Sequence, residues 1–143
     1  MSNWLFHGNP KRFPIIKDLR DGGAETNWGI TQHLDDVSIG DNAAIWVSGP
    51  KAGVYAVGYV ADATFFGFKN SDWVNPKDRG ARGNFCPLHL TDILADRPVL
   101  KPDLLAAGGF EKARVIRQPF AGNPLLLTDA EWKLINGLKW PAT

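Results

Sequence analysis

Apolar positions in this chain come in short runs, broken by glycine, proline and asparagine. The first run, "NWLFH" at 3–7, reads as a strand that "GNP" at 8–10 ends. In "FPIIKDLRDGG", Pro14 opens a short helix, Ile15, Ile16 and Leu19 share one side, and Gly22-Gly23 close it. The stretch "ETNWGI" at 25–30 has no clear period. Leu34, Val37 and Ile39 then lead into a turn at "GD", 40–41. "NAAIWVSG" (42–49) and "VYAVGYVADATFF" (54–66) are apolar strands joined by the turn "PKAG", so 43–48 and 54–61 read as a hairpin. In the second strand Val54, Ala56, Gly58 and Val60 share one face; Tyr55, Val57 and Tyr59 share the other. Apolar side chains on both faces predict a central strand.

Residues 67–84 are rich in Gly, Asn and Asp and predict a loop. "FCPLHLTDIL" (85–94) alternates as a strand, and 102–107 is a short helical piece. The strongest helix is 128–138, where Thr128 and Glu131 make a capping box ahead of Trp132, Ile135 and Leu138. No internal repeat is visible. The pattern predicts a small α+β domain over 1–143: a mostly antiparallel sheet curled into a barrel, with peripheral helices.

Composition narrows the function classes. A length of 143 residues predicts one domain, and a net charge of +1 argues against a histone-like wrapper of nucleic acid. The lone Cys86 forms no intrachain disulfide, which fits a reducing compartment. The N-terminal residues lack a signal-peptide pattern, and no apolar run reaches a membrane span, so a cytoplasmic location is expected. Six tryptophans are many for a core this size. Trp4, Trp46 and Trp132 lie in periodic segments, whereas Trp28, Trp73 and Trp140 do not.

Catalytic signals are thin. His7, His33 and His89 lack metal-ligand spacing, so no metal or other cofactor is expected. Cys86 sits in an apolar strand without a basic flank, and Ser48 in "WVSGP" lacks the first glycine of a nucleophile elbow. No phosphate-binding glycine loop is present. Ser48 is better placed to hydrogen-bond a ligand than to attack one. Phe65, Phe66 and Phe120 are expected in the core. Loop aromatics beside small polar groups instead suit planar ligands, whose faces stack and whose edges hydrogen-bond.

Five segments, taken in order, resemble the EVE domain of the PUA-like superfamily, which is related to YTH modified-base readers. They are "WLFHGNP", "NWGI", "IGDNAAIWVSGPKAGVYAVGYV", "DWVNP" and "RQPFAGNPLLLTDAEWKLI". The resemblance implies a PUA-like barrel whose cavity receives a modified base flipped out of its strand, with 5-methylcytosine or a related modified cytosine in DNA as the leading expectation. It implies a recognition module of a modification-dependent restriction or regulatory system, with a fused or separate nuclease partner, and a monomer. Trp28 and Trp73 would be cage walls. Asn9 would read the base edge, and Gly29 and Ile30 would offer backbone groups. Arg117 would touch the phosphate backbone. Relatives carry a side-chain reader where this chain has Gly29, and Asn27 is the candidate substitute. Trp46 could be core or pocket floor, and Ser48 could bind the ligand. Lys77, Arg79 and Arg82 could hold phosphates or be solvated loop residues. Three alternatives stay open: a reader of N6-methyladenine in RNA or DNA, a small hydrolase or transferase using Ser48 or Cys86, and a protein-binding adaptor.

Overall fold

The segment 3–8 that begins the sheet is almost wholly buried, because it lies between two other strands and under a helix. A computed structural model describes residues 1–68, 82–118 and 121–139. In chain order the strands are β1 (Asn3–Gly8), β2 (Glu25–Ile30), β3 (Asn42–Val47), β4 (Gly53–Val60), β5 (Phe65–Phe68), β6 (Arg82–Ile93), β7 (Val99–Leu100) and β8 (Leu125–Leu127). The helices are α1 (Ile15–Asp21), α2 (Lys101–Ala107), α3 (Arg114–Arg117) and α4 (Asp129–Leu138). The sheet runs β2-β6-β4-β3-β1-β8, with β5 added to β6 and β7 to β4. All pairs are antiparallel except β1 with β3. The expected curled α+β sheet is present.

The sheet curls until its two ends meet. Thr31 and Gln32, just past β2, donate backbone bonds of 2.8 and 3.0 Å to the carbonyl of Asn123, just ahead of β8. Curling creates two cores. The inner one gathers Trp4, Phe6, Ile30, Ile45, Cys86 and Leu88, with Ile15 and Leu19 of α1 as a lid. The outer one packs Leu5, Ala44, Trp46, Val54 and Val57 under the helical side, against Leu104, Phe110 and Ile135. Both faces of β1, β3 and β4 are therefore apolar, as the continuous hydrophobic runs predict.

Two irregularities alter the predicted faces. Ile45 pairs with Ala56, but Trp46 pairs with Val54, so Tyr55 is an extra residue in β4. A bulge of one residue reverses the alternation. Val54 accordingly joins Val57 in the outer core, while Ala56 and Val60 face inward. Gly58 lies at the second register shift, where a β-carbon would collide with the His89 carbonyl oxygen.

Other elements differ from the sequence reading. The aperiodic stretch 25–30 is strand β2, half-exposed because its sequence mixes polar residues with one indole. Part of the predicted loop 67–84 is strand: β5 reaches Phe68 and β6 starts at Arg82. Phe65 and Phe66, expected in the core, are 42% and 65% exposed because β5 is a sheet edge. Phe120 lies outside the described residues. α4 has its capping box, with Thr128 Oγ1 accepting from Glu131 N at 3.1 Å and Glu131 Oε1 accepting from Thr128 N at 2.9 Å.

Candidate functional site

A cleft of about 1250 Å³ opens where the C-terminal ends of β1 and β2 meet α1 and the strands β5 and β6. That volume exceeds the ~300–1,000 Å³ of an ordinary small-ligand pocket. The cleft is an open trough. Ser48 N–H donates to Gly8 O at 2.9 Å, so the parallel ends of β1 and β3 form one continuous wall.

Trp28 stands on this trough. Its ring is half-buried against the inner core, and its Nε1–H donates to the His7 carbonyl at 3.2 Å. With the N–H engaged by backbone, the indole is fixed in place. Gly8 makes this possible: a β-carbon there would strike Ile15 and come within 3.1 Å of the Trp28 ring.

The same His7 is held by a residue from the far end of the chain. Asn123 Oδ1 accepts from His7 N at 2.7 Å, and Asn123 Nδ2 donates to His7 O at 2.8 Å. The His7 Nε2 is 3.1 Å from the Gly122 carbonyl. Gln32 Nε2 donates to Gly122 O and Pro124 O at 3.2 and 2.9 Å. Thr31 Oγ1 accepts from Asn123 N at 3.3 Å. This belt binds β1, β2 and the segment before β8 into one unit around the base of Trp28.

The structure brings several of the sequence-derived candidates together. Trp28, Asn9, Asn27, Gly29, Ile30, Ser48 and Arg82 all line the cleft. Their settings differ. Asn9 is exposed, and its Oδ1 accepts from Lys11 N at 2.9 Å, so that oxygen serves a turn. Ile30 is buried at 3% exposure, its side chain packed in the inner core. Asn27 and Gly29 flank Trp28 along β2, and successive strand side chains point to opposite faces. The Asn27 amide therefore lies across the strand from the indole, not beside it. A β-carbon at Gly29 would sit 3.9 Å from the Phe85 ring, an ordinary contact, so the missing side chain there is not imposed by crowding.

Two candidates stand apart. Trp46 is buried at 3% exposure, stacks on Phe110 at 6.1 Å between ring centroids, and does not line the cleft. Alternation along β3 puts Ala43, Ile45 and Val47 on the inner face and Ala44 and Trp46 on the outer one. Arg117 is exposed at the end of α3, also away from the cleft lining. Trp73, Lys77 and Arg79 lie outside the described residues.

The charges along the described lining are mixed: Arg12 and Arg82 against Asp18 and Glu25. Glu25 also bonds His89 Nδ1. Burial, with Asp41 nearby, pushes the Cys86 thiol up to about 12, which removes the thiolate a nucleophile requires. Among the described residues no cluster of three or more His, Cys, Asp or Glu side chains could hold a metal ion.

Sequence reasoning missed His7, Asn123 and the aromatic rim of Phe65, Phe68 and Phe85. Asn123 had a weak signal, since "AGNP" lies inside the last segment of the resemblance. Its role depends on a contact 116 residues away.

No protein-family model matches the chain, and no curated protein matches it in sequence. Solved structures do match in shape. Human THYN1 in complex with 5-methylcytosine-containing DNA superimposes with a TM-score of 0.68 at 14% identity, covering 100% of both chains. The DUF55 domain of human thymocyte nuclear protein 1 gives 0.68 at 15%, covering 96% of this chain and 98% of that one. A hypothetical protein from Leishmania major gives 0.70 at 14%, covering 97% and 94%. At such identities the likeness is one of fold, and the chain shares the curled α+β architecture of these structures.

Proposed function

We propose that this domain reads a modified base in DNA, holding an extruded 5-methylcytosine or related cytosine in the cleft against the face of Trp28. The carrying observation is the anchored indole: its N–H is spent on the His7 carbonyl, which leaves a rigid apolar face at an open trough. The fold shared with THYN1, whose complex contains 5-methylcytosine DNA, supports the same ligand class. Trp73 would be the second wall of the cage. The protein acts by binding rather than turnover, and a role in a modification-dependent restriction or regulatory system rests on the resemblance alone.

The energetics are consistent. Extruding a base costs a few kcal/mol. Stacking on an aromatic wall returns about 1–3 kcal/mol, and phosphate contacts supply more. Burying a methyl group is worth only about 0.8 kcal/mol, roughly a fourfold preference. Larger selectivity requires a close fit around the methyl or a polar group left unpaired by the wrong base. Trp28→Ala should lower affinity for modified oligonucleotides about tenfold and bring the modified-to-plain ratio close to one. An unchanged ratio in a titration at fixed salt would refute the reading. Matched 5-methylcytosine and N6-methyladenine strands, in DNA and RNA, identify the base.

A further inference from the structure

Strand β5 is four residues long, and three of them are phenylalanines. Phe65, Phe66 and Phe68 are 42%, 65% and 66% exposed. Exposed aromatic clusters of this kind mark interaction surfaces, and an apolar sheet edge is otherwise a liability for aggregation.

The register shows which way these rings face. Directly paired residues on neighbouring strands project to the same side of a sheet. Trp28 pairs with Cys86, and Ile30 with Asn84. Across β6, Asn84 pairs with Phe66, and Arg82 with Phe68. Phe66, Phe68, Asn84 and Arg82 therefore extend the sheet face that carries Trp28. Phe65 projects to the opposite face and stacks on Phe85, with ring centroids 5.7 Å apart. The Arg82 guanidinium lies over the Phe68 ring, 5.1 Å from its centroid. Phe68, Arg82 and Asn84 line the cleft, and Phe66 lies just beyond its lining, so the surface runs out from the cleft along β5.

We infer that Phe66 and Phe68, with Arg82, form a second nucleobase subsite. A base next to the extruded one stacks on the phenyl rings while Arg82 meets its phosphate. This rests on the reading of the cleft as a nucleic-acid site. The chemistry selects the occupant: rings offer π-faces to any base, a guanidinium matches a phosphate, and the Asn84 amide between them can reach a base edge. A protein partner would be served by apolar area alone.

The test uses the full chain with single-stranded and duplex oligonucleotides. Each carries 2-aminopurine beside a plain or modified cytosine, at fixed salt. Wild type should change the fluorescence of the flanking 2-aminopurine on binding. Phe66→Ala/Phe68→Ala should abolish that change and weaken binding about tenfold to plain and modified strands alike, leaving their ratio intact. Phe68→Leu, which keeps apolar area but loses the π-face, should behave like Phe68→Ala, whereas Phe68→Trp should bind as wild type. Unaltered melting temperatures will show that the variants fold. Wild-type binding and signal in the double variant would overturn the subsite. So would wild-type binding and signal in Phe68→Leu, or self-association of the wild type that the double variant abolishes. A protein without preference for the modified base, whose binding still drops in the double variant, keeps the subsite and removes the base-reading proposal.

Discussion

At the residue scale, the site depends on one asparagine as much as on its tryptophan. Asn123 satisfies both backbone groups of His7, and the His7 carbonyl in turn holds the Trp28 N–H. Asn123→Ala should destabilise the protein by about 1–3 kcal/mol, the cost of leaving a partly buried polar group without its partner. Asn123→Asp should be no better, because a second carboxylate oxygen would face the His7 carbonyl. Thermal unfolding measures the stability, and the part of the tryptophan quenching that Trp28→Phe removes reports the ring's freedom. A variant with wild-type melting and quenching would show that the belt is dispensable. Gly29 is the complementary case. The structure has room for a side chain there, beside the Phe85 ring. Gly29→Ser should fold normally, and any change in base preference would then report a new polar contact.

At the element scale, much was legible in the sequence. The runs 3–7 and 42–49, the hairpin into 54–61, the strand 85–94 and the last helix all appear within a few residues of their expected bounds. Short apolar runs between turn residues are a local signal, and so is a capping box. Thr128→Ala should remove the bond to Glu131 N and cost about 1 kcal/mol. That loss would show as a lower midpoint in urea with an unchanged slope, and an unaltered midpoint would refute the cap's contribution. What stayed hidden was β2, whose polar sequence carries no period, and β5, whose phenylalanines looked like core. Both are strands because β6 pairs with them, β2 along Glu25–Ile30 and β5 along Phe65–Phe68. Such pairing is a long-range fact, absent from any local window.

At the scale of the whole molecule, charge shapes two behaviours. Burial pushes the Asp41 carboxyl up, but hydrogen bonds from Trp4, Ser38 and Ser2, with the amino terminus, hold it below the ordinary 3.8. A depressed folded value stabilises the protein above the unfolded one. This contribution is complete above about pH 4 and is lost as pH falls through the lower folded value. Asp41→Asn should lower the melting temperature at pH 7, and the gap to wild type should narrow below pH 4. Parallel melting curves from pH 2 to 7 would exclude this role. Net charge of +1 and a mixed cleft lining also limit electrostatic binding. On the proposed reading, DNA affinity should fall with salt at a log–log slope of about −2 to −4, the value for a few neutralised phosphates. A slope near −8 would indicate a much larger basic surface.

The sequence by itself determined the ingredients: an α+β sheet with two apolar faces, a capped terminal helix, and a tryptophan out of period among polar residues. These follow from local rules of spacing and capping that act over a few residues. Tertiary structure decided which side chains meet. The extra residue Tyr55 reversed the faces of β4, and the packing of helices on the Ala44–Trp46 side of β3 made that side the outer core, away from the cleft. The curl of the sheet brought Asn123 to His7, and strand pairing aligned Phe66 and Phe68 with the face of Trp28. Bulges and barrel closure depend on contacts between residues far apart in the chain, so no local pattern records them.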